Sequence, residues 1–177
     1  KSFFDSIPTD SDYYFCFPYL HENELFQAPQ WVKNTVWYQI FPERFGNGNP
    51  SINPKNTKAW GSEPPAVNNF FGGDFAGVTA HLDHLTDIGV NGIYFTPVFE
   101  ASSNHKYDIS DYYQVDKQFG TNETFKKLVE VCHQNGIRVV LDAVFNHCSE
   151  NLMQFQDVLQ KGKASAYYDW FLIDGEQ

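Results

Sequence analysis

The chain has 177 residues and a formal net charge of −10, with 12 Lys or Arg against 22 Asp or Glu. That balance offers no basic patch to release counterions, which argues against a nucleic-acid or anionic-membrane surface. Aromatic residues make up 18% of the chain, which excludes a disordered protein and supplies material for a core. Residues 13–17 (YYFCF) favour a strand, bounded by Asp10-Ser11-Asp12 before and Pro18 after. A lone strand cannot bury both faces, so it is expected to close an all-β module whose earlier strands are missing. Ala28-Pro29-Gln30 reads as a linker. From Trp31 onward strands alternate with helices. Residues 35–40 (TVWYQI) are a strand candidate, followed by a polar loop rich in Gly, Asn and Pro up to about residue 73. Val78, Leu82, Leu85 and Ile88 then fall on one helical face, and Gly89 is the stop signal. Residues 91–95 form a second strand, closed by Pro97. After another long loop, Thr121 can cap a helix, with Thr124 at the position where a capping box wants Glu or Gln. This helix should bury Phe125, Leu128, Val129 and Cys132, and Gly136 ends it. Residues 137–144 are almost continuously apolar, as expected of a strand covered on both faces. In the tail, Leu152, Phe155, Val158 and Leu159 have helical spacing, and the aromatic run 167–171 (YYDWF) is expected to pack.

Strand, helix, strand, helix, strand makes two successive βαβ units, hence an α/β class with a parallel sheet. A doubly wound protein has the same grammar. The loops 45–73 and 96–120 argue for a barrel instead, because both are long and both follow the C-terminal ends of strands. No GxGxxG or GxxxxGK[ST] loop follows any strand, which disfavours a nucleotide-binding enzyme. A complete (β/α)₈ barrel needs about 250 residues, so it cannot be present whole. The chain starts at Lys1 and its only methionine is Met153, so it is expected to come from something longer. No run of about 18 apolar residues and no signal-peptide layout occurs. Cys16, Cys132 and Cys148 are odd in number and show no CxxC spacing, against a disulfide framework or zinc site. Reduced thiols in a cytoplasmic protein are the plain expectation, although a signal sequence lost upstream would leave the same trace.

The strongest chemical signal is Leu141-Asp142-Ala143-Val144-Phe145-Asn146-His147. An apolar strand ending in Asp, Asn and His places polar groups at the mouth of a parallel sheet, where each costs desolvation unless bonded or used. Spacing alone leaves a structural and a functional reading open.

This segment resembles the DxxxNH region of the α-amylase family, glycoside hydrolase family 13. Residues 36–45 (VWYQIFPERF) are similar to the first barrel strand of its neopullulanase, cyclomaltodextrinase and maltogenic amylase subgroup. His105-Lys106-Tyr107-Asp108 with Asp111-Tyr112 resembles the second βα loop of that subgroup, and Gly72-Gly73-Asp74 another of its signatures. The resemblance implies the first three βα units of a (β/α)₈ TIM barrel over residues 31–148. Residues 1–30 would end an N-terminal β-sandwich module and its linker. Residues 149–177 would begin the domain inserted after the third strand.

The resemblance also implies roles. His147 would hydrogen-bond the sugar at the cleavage point and Tyr107 would stack on it. An aromatic face suits the C–H face of glucose, and an imidazole can donate to hydroxyls. Asp142 and Asn146 would support the site without attacking substrate. Asn47, Asn49, Asn53 and Asp74, with the carbonyls of Ile52 and Gly72, would hold calcium, a hard cation that takes about six to eight oxygens. Asp74 would be the only charged ligand, and an Asx-rich turn without metal is the competing reading.

Retaining glycosidases need two carboxylates about 5 Å apart. The family carries them on later strands, and Glu43, Glu100, Asp108 and Asp111 fall at positions it does not use. The expectation is a segment, inactive alone, of an α-glucan hydrolase acting on cyclodextrins, pullulan or maltooligosaccharides, whose parent dimerises through its β module. The competing expectation is a glucan-binding or scaffold protein on a degenerate barrel.

Overall fold

The structure is a computed structural model describing residues 27–173. The predicted strand at 13–17, with Cys16, lies outside the described residues. The chain divides into two units, residues 1–34 and 35–177. In the first, Gln30–Asn34 is a 3₁₀ helix, and Val32 N–H bonds the Pro29 carbonyl just before it at 3.0 Å.

The second unit is built on a parallel sheet of β1 (Trp37–Ile40), β2 (Gly92–Phe95) and β5 (Arg138–Leu141), in the order β1-β2-β5. Ile40, Phe95 and Leu141 stand in register, so all three strands finish at one level. Side chains alternate across a strand. Tyr38, Ile40, Ile93, Phe95, Val139 and Leu141 share the face that joins the core. Over that face lie the connecting helices, which contribute Phe75, Val78, Leu82, Leu85, Leu128 and Cys132. Burying each such side chain contributes about 1.5–3 kcal/mol, which dominates local stability.

Two expectations change here. The helix predicted through Val78 and Ile88 is two helices, α1 (Phe75–Ala80) and α2 (Leu82–Asp87). His81 separates them with φ −121° and ψ 21°; its N–H bonds the Val78 carbonyl and its ring packs on Phe45. Ile88 falls beyond the second helix and is exposed. The strand predicted at 137–144 ends at Leu141, and Val140 is exposed, because among the described residues the helices pack on the other face of the sheet.

Helix α3 (Asn122–Gln134) matches its sequence signals closely. Thr121 caps it and Thr124 completes the capping box, its hydroxyl taking the Thr121 N–H at 2.7 Å in place of a carboxylate. Leu128 and Cys132 are buried, and burial pushes the Cys132 thiol up to about 11. Cys132 and Cys148 are both free. The helices stop at Gly89 and Gly136, both with left-handed φ (81° and 72°).

The loop at 96–120 contains an antiparallel pair that the sequence reading missed, β3 (Phe99–Ala101) with β4 (Ile109–Val115). In the tail, α4 (Met153–Lys161) buries Val158 and leaves Leu159 exposed. Phe171 packs on Phe155 at 5.2 Å between ring centroids, and Tyr167 on Trp170 at 5.1 Å, while Trp170 itself remains exposed. Among the described residues no helix is long and apolar enough to cross a membrane.

Candidate functional site

The alternation that fills the core also fixes the site. Tyr94 lies on the opposite sheet face and Asp142 just past the end of the neighbouring β5, two residues beyond Val140, the partner of Tyr94, a diagonal relation that long side chains can bridge. Tyr94 Oη donates to Asp142 Oδ2 at 2.5 Å, and Tyr107 Oη donates to the same oxygen at 2.7 Å. These bonds to a carboxylate hold both phenols protonated: Tyr94 is pushed up to about 12, and Tyr107 is raised as well, with burial adding to both. Tyr94 was missed by sequence reasoning; its signal was a lone phenol on the uncovered face, one strand from the DxxxNH aspartate.

His147 joins through the backbone, with Nε2 3.0 Å from the Tyr107 carbonyl. A carbonyl only accepts, so Nε2 carries the proton. Nδ1 is then the ring nitrogen left for another partner. Tyr112 Oη donates to the carbonyls of Val144 (2.6 Å) and His147 (3.2 Å), tying the loop after β5 to β4. Tyr107 is 37% exposed, so its hydroxyl is anchored while the side chain keeps open surface. Tyr107, Asp142 and His147 are therefore brought together. Asn146 is exposed and is not drawn into this network.

The turn that carries Tyr107 is clamped by Asp108. Its carboxylate accepts from the hydroxyls of Ser102 and Ser103 and from both backbone N–H groups. Burial raises the Asp108 pKa, but the hydrogen bonds from the two serines prevail, and it lies below the usual carboxylate range. Lys106 is fully buried, with Nζ 2.7 Å from Asp116 Oδ2.

The other expected cluster forms at the first long loop. Asn47 Nδ2 donates to Asn53 Oδ1 at 3.0 Å, and both side chains sit against Gly72. Gly72 has φ +78°, and a Cβ there would stand 2.5 Å from Asn47 Nδ2 and 2.6 Å from Asn53 Oδ1, so only glycine fits this cradle. Asp74 is fully buried and accepts from Gly48 N (3.1 Å), Asn49 N (2.7 Å) and Gly77 N (2.6 Å), the last capping α1. Asn49 Oδ1 accepts from Ser51 Oγ at 2.6 Å, and Ile52 closes the 3₁₀ turn Pro50–Ile52. Among the described residues no group of three or more His, Cys, Asp or Glu could hold a metal. The loop's donors are amide, carbonyl and carboxylate oxygens, and such a set suits a hard cation such as calcium.

Glu43 and Arg44 anchor this loop from the end of β1. Buried Glu43 takes the N–H groups of Phe71 and Gly72 on Oε1 and pairs through Oε2 with Arg44 Nε at 2.7 Å. Burial raises its pKa against the pull of these partners. Arg44 reaches the carbonyls of Ala66 and Asn69 and stacks over Phe71, with its guanidinium 4.8 Å from the ring centroid. Glu43 and Asp108 thus have structural duties, and Asp111 caps the Tyr113 N–H at 2.7 Å.

Parallel strands that finish at one level, long loops at that end and a Tyr-Asp-His cluster define a segment of a barrel-type catalytic domain. The chain belongs to the alpha-amylase family, whose catalytic domain (Alpha amylase, catalytic domain) matches residues 39–177. It is 60% identical to a cyclomaltodextrinase of Geobacillus thermopakistaniensis (strain MAS1), over 98% of this chain and 30% of that protein. An intracellular maltogenic amylase of Bacillus subtilis is 58% identical over 91% of this chain and 27% of its own length. Among solved structures, the cyclic alpha-maltosyl-(1→6)-maltose hydrolase from Arthrobacter globiformis, in complex with that compound, superposes with a TM-score of 0.77. The identity is 49%, over 85% of this chain and 34% of that one. The chain thus spans about a third or less of the length of these relatives.

Proposed function

We propose that this chain is the early part of the catalytic barrel of a retaining α-glucan hydrolase that acts on cyclodextrins or related α-glucan oligosaccharides. The observation that carries this reading is the Tyr107–Asp142–His147 cluster, set at the strand ends of a chain 60% identical to a cyclomaltodextrinase. Tyr107 stacks on a glucose ring while Asp142 fixes its hydroxyl, which removes rotational freedom before the sugar arrives. His147, held on the Tyr107 carbonyl, meets a sugar hydroxyl with its other ring nitrogen. Asp142 orients these groups and leaves bond cleavage to carboxylates outside this chain. Calcium, held by Asn47, Asn49, Asn53 and Asp74 with the Ile52 and Gly72 carbonyls, would brace the first loop. A cytoplasmic site of action is supported by the intracellular maltogenic amylase among the relatives.

The test is hydrolysis of β-cyclodextrin by the full-length protein, followed by NMR of the first anomer released. Release of the α-anomer supports the reading. Binding without hydrolysis would favour a scaffold, and neither binding nor hydrolysis would overturn the reading altogether.

A further inference from the structure

We propose that Lys106, through its buried pair with Asp116, is a positioning residue that turns Tyr107 into the sugar-binding cluster. This rests on the reading of Tyr107 as the sugar-stacking residue. Lysine is almost never fully buried unless paired, and Lys106 is 0% exposed. Its ammonium lies 2.7 Å from Asp116 Oδ2, 3.3 Å from the Ala101 carbonyl and 5.5 Å from the Phe119 ring centroid. Asp116 is in turn fixed to the β3–β4 pair: Oδ2 takes the Ala101 N–H at 3.1 Å, Oδ1 the Gln118 N–H at 2.9 Å, and its own N–H bonds Val98 O at 2.8 Å. The ammonium is thus tethered to both ends of the hairpin.

The backbone at Lys106 completes the argument. Its φ of +63° is left-handed, a conformation that glycine adopts freely and a lysine adopts only under compensation. The buried ion pair supplies that compensation. With the Lys106 side chain driven inward, the next residue emerges with its N–H on His105 Nδ1 (3.1 Å), its carbonyl on His147 and its hydroxyl on Asp142. Three fixed contacts on one residue follow from one reversed one. An apolar side chain could fill the same volume but would not select this reversal.

The experiment uses the full-length protein and compares Lys106→Met, Tyr107→Ala and their double variant. The readouts are β-cyclodextrin affinity by calorimetry, and KM against kcat. Lys106→Met should weaken binding about tenfold and raise KM accordingly, with kcat within about twofold. The double variant should bind no worse than Tyr107→Ala alone, because Lys106 acts only through Tyr107. If Lys106→Met fails to fold, the charge-free pair Lys106→Met with Asp116→Asn takes its place in the same comparison. Wild-type affinity in the Lys106 variant alongside a loss in Tyr107→Ala overturns this inference alone, as does strict additivity in the double. Unchanged affinity in Tyr107→Ala overturns the sugar-stacking reading beneath it.

Discussion

Asp74 and Asp142 both belong to signature segments of the chain, yet they are satisfied in opposite ways. Asp74 is fully buried, and its donors are three backbone N–H groups from the first loop and α1. Asp142 is half-buried, and its donors are two phenols from β2 and the β3–β4 turn. Backbone donors cannot rotate away, so Asp74 is committed to holding loop to helix. The phenols belong to side chains, so Asp142 orients Tyr94 and Tyr107 without tying backbone to backbone. The contrast separates a carboxylate that builds the fold from one that arranges a surface, and each can be tested for the other's property.

Asp74→Ala should produce the largest effect, because three backbone N–H groups, that of Gly77 buried, lose a charged and fully buried acceptor together. We expect a loss of about 3 kcal/mol or more, measured as the denaturant midpoint of the full-length protein. A loss below about 1 kcal/mol would dissolve the contrast. Chelation comes next. If calcium sits at the Asn47–Asp74 loop, EDTA should remove about 2 kcal/mol of thermal stability at saturating metal and leave cyclodextrin affinity unchanged. An equal loss of affinity would couple two regions held here to be separate. Tyr107→Ala should act the other way round, weakening cyclodextrin binding about tenfold while the melting temperature moves little.

Tyr94→Phe is the smallest change, costing about 1 kcal/mol for one hydrogen bond, because Asp142 keeps Tyr107. It carries a pH signature. The folded Tyr94 holds its proton up to about 12 against 10.0 for an ordinary tyrosine, so its contribution is fully present below pH 10. Above pH 10 the unfolded chain ionises first, and that contribution is lost as pH approaches about 12. Alkaline unfolding of wild type and variant should therefore converge across this window. Parallel curves would remove Tyr94 from the cluster.

The parts of the fold that were legible in the sequence are those with local signals. The cap at Thr121, the stop at Gly136 and the apolar faces of the first two strands each depend on neighbours within a few residues. The break at His81 was not legible, because it depends on Phe45 packing against the imidazole from 36 residues away. The β3–β4 pair was hidden because one strand has three residues and the pairing shifts register twice. At the site, the resemblance pointed to Tyr107, Asp142 and His147. Tyr94 and the Lys106–Asp116 pair were not legible, because their meaning comes only from the face they share or the volume they fill. A lysine between histidine and tyrosine looks solvated until the turn is built.

Cys132 gives the molecule a way to report its own opening. Its sulfur is sealed beneath α3, and burial keeps it protonated far above neutral pH, so an alkylating reagent meets neither access nor thiolate. Modification there must wait for the helix to lift from the sheet. The rate at which the thiol is consumed then counts those excursions, with no label introduced. Cys148, only partly buried, supplies the faster reference on the same chain.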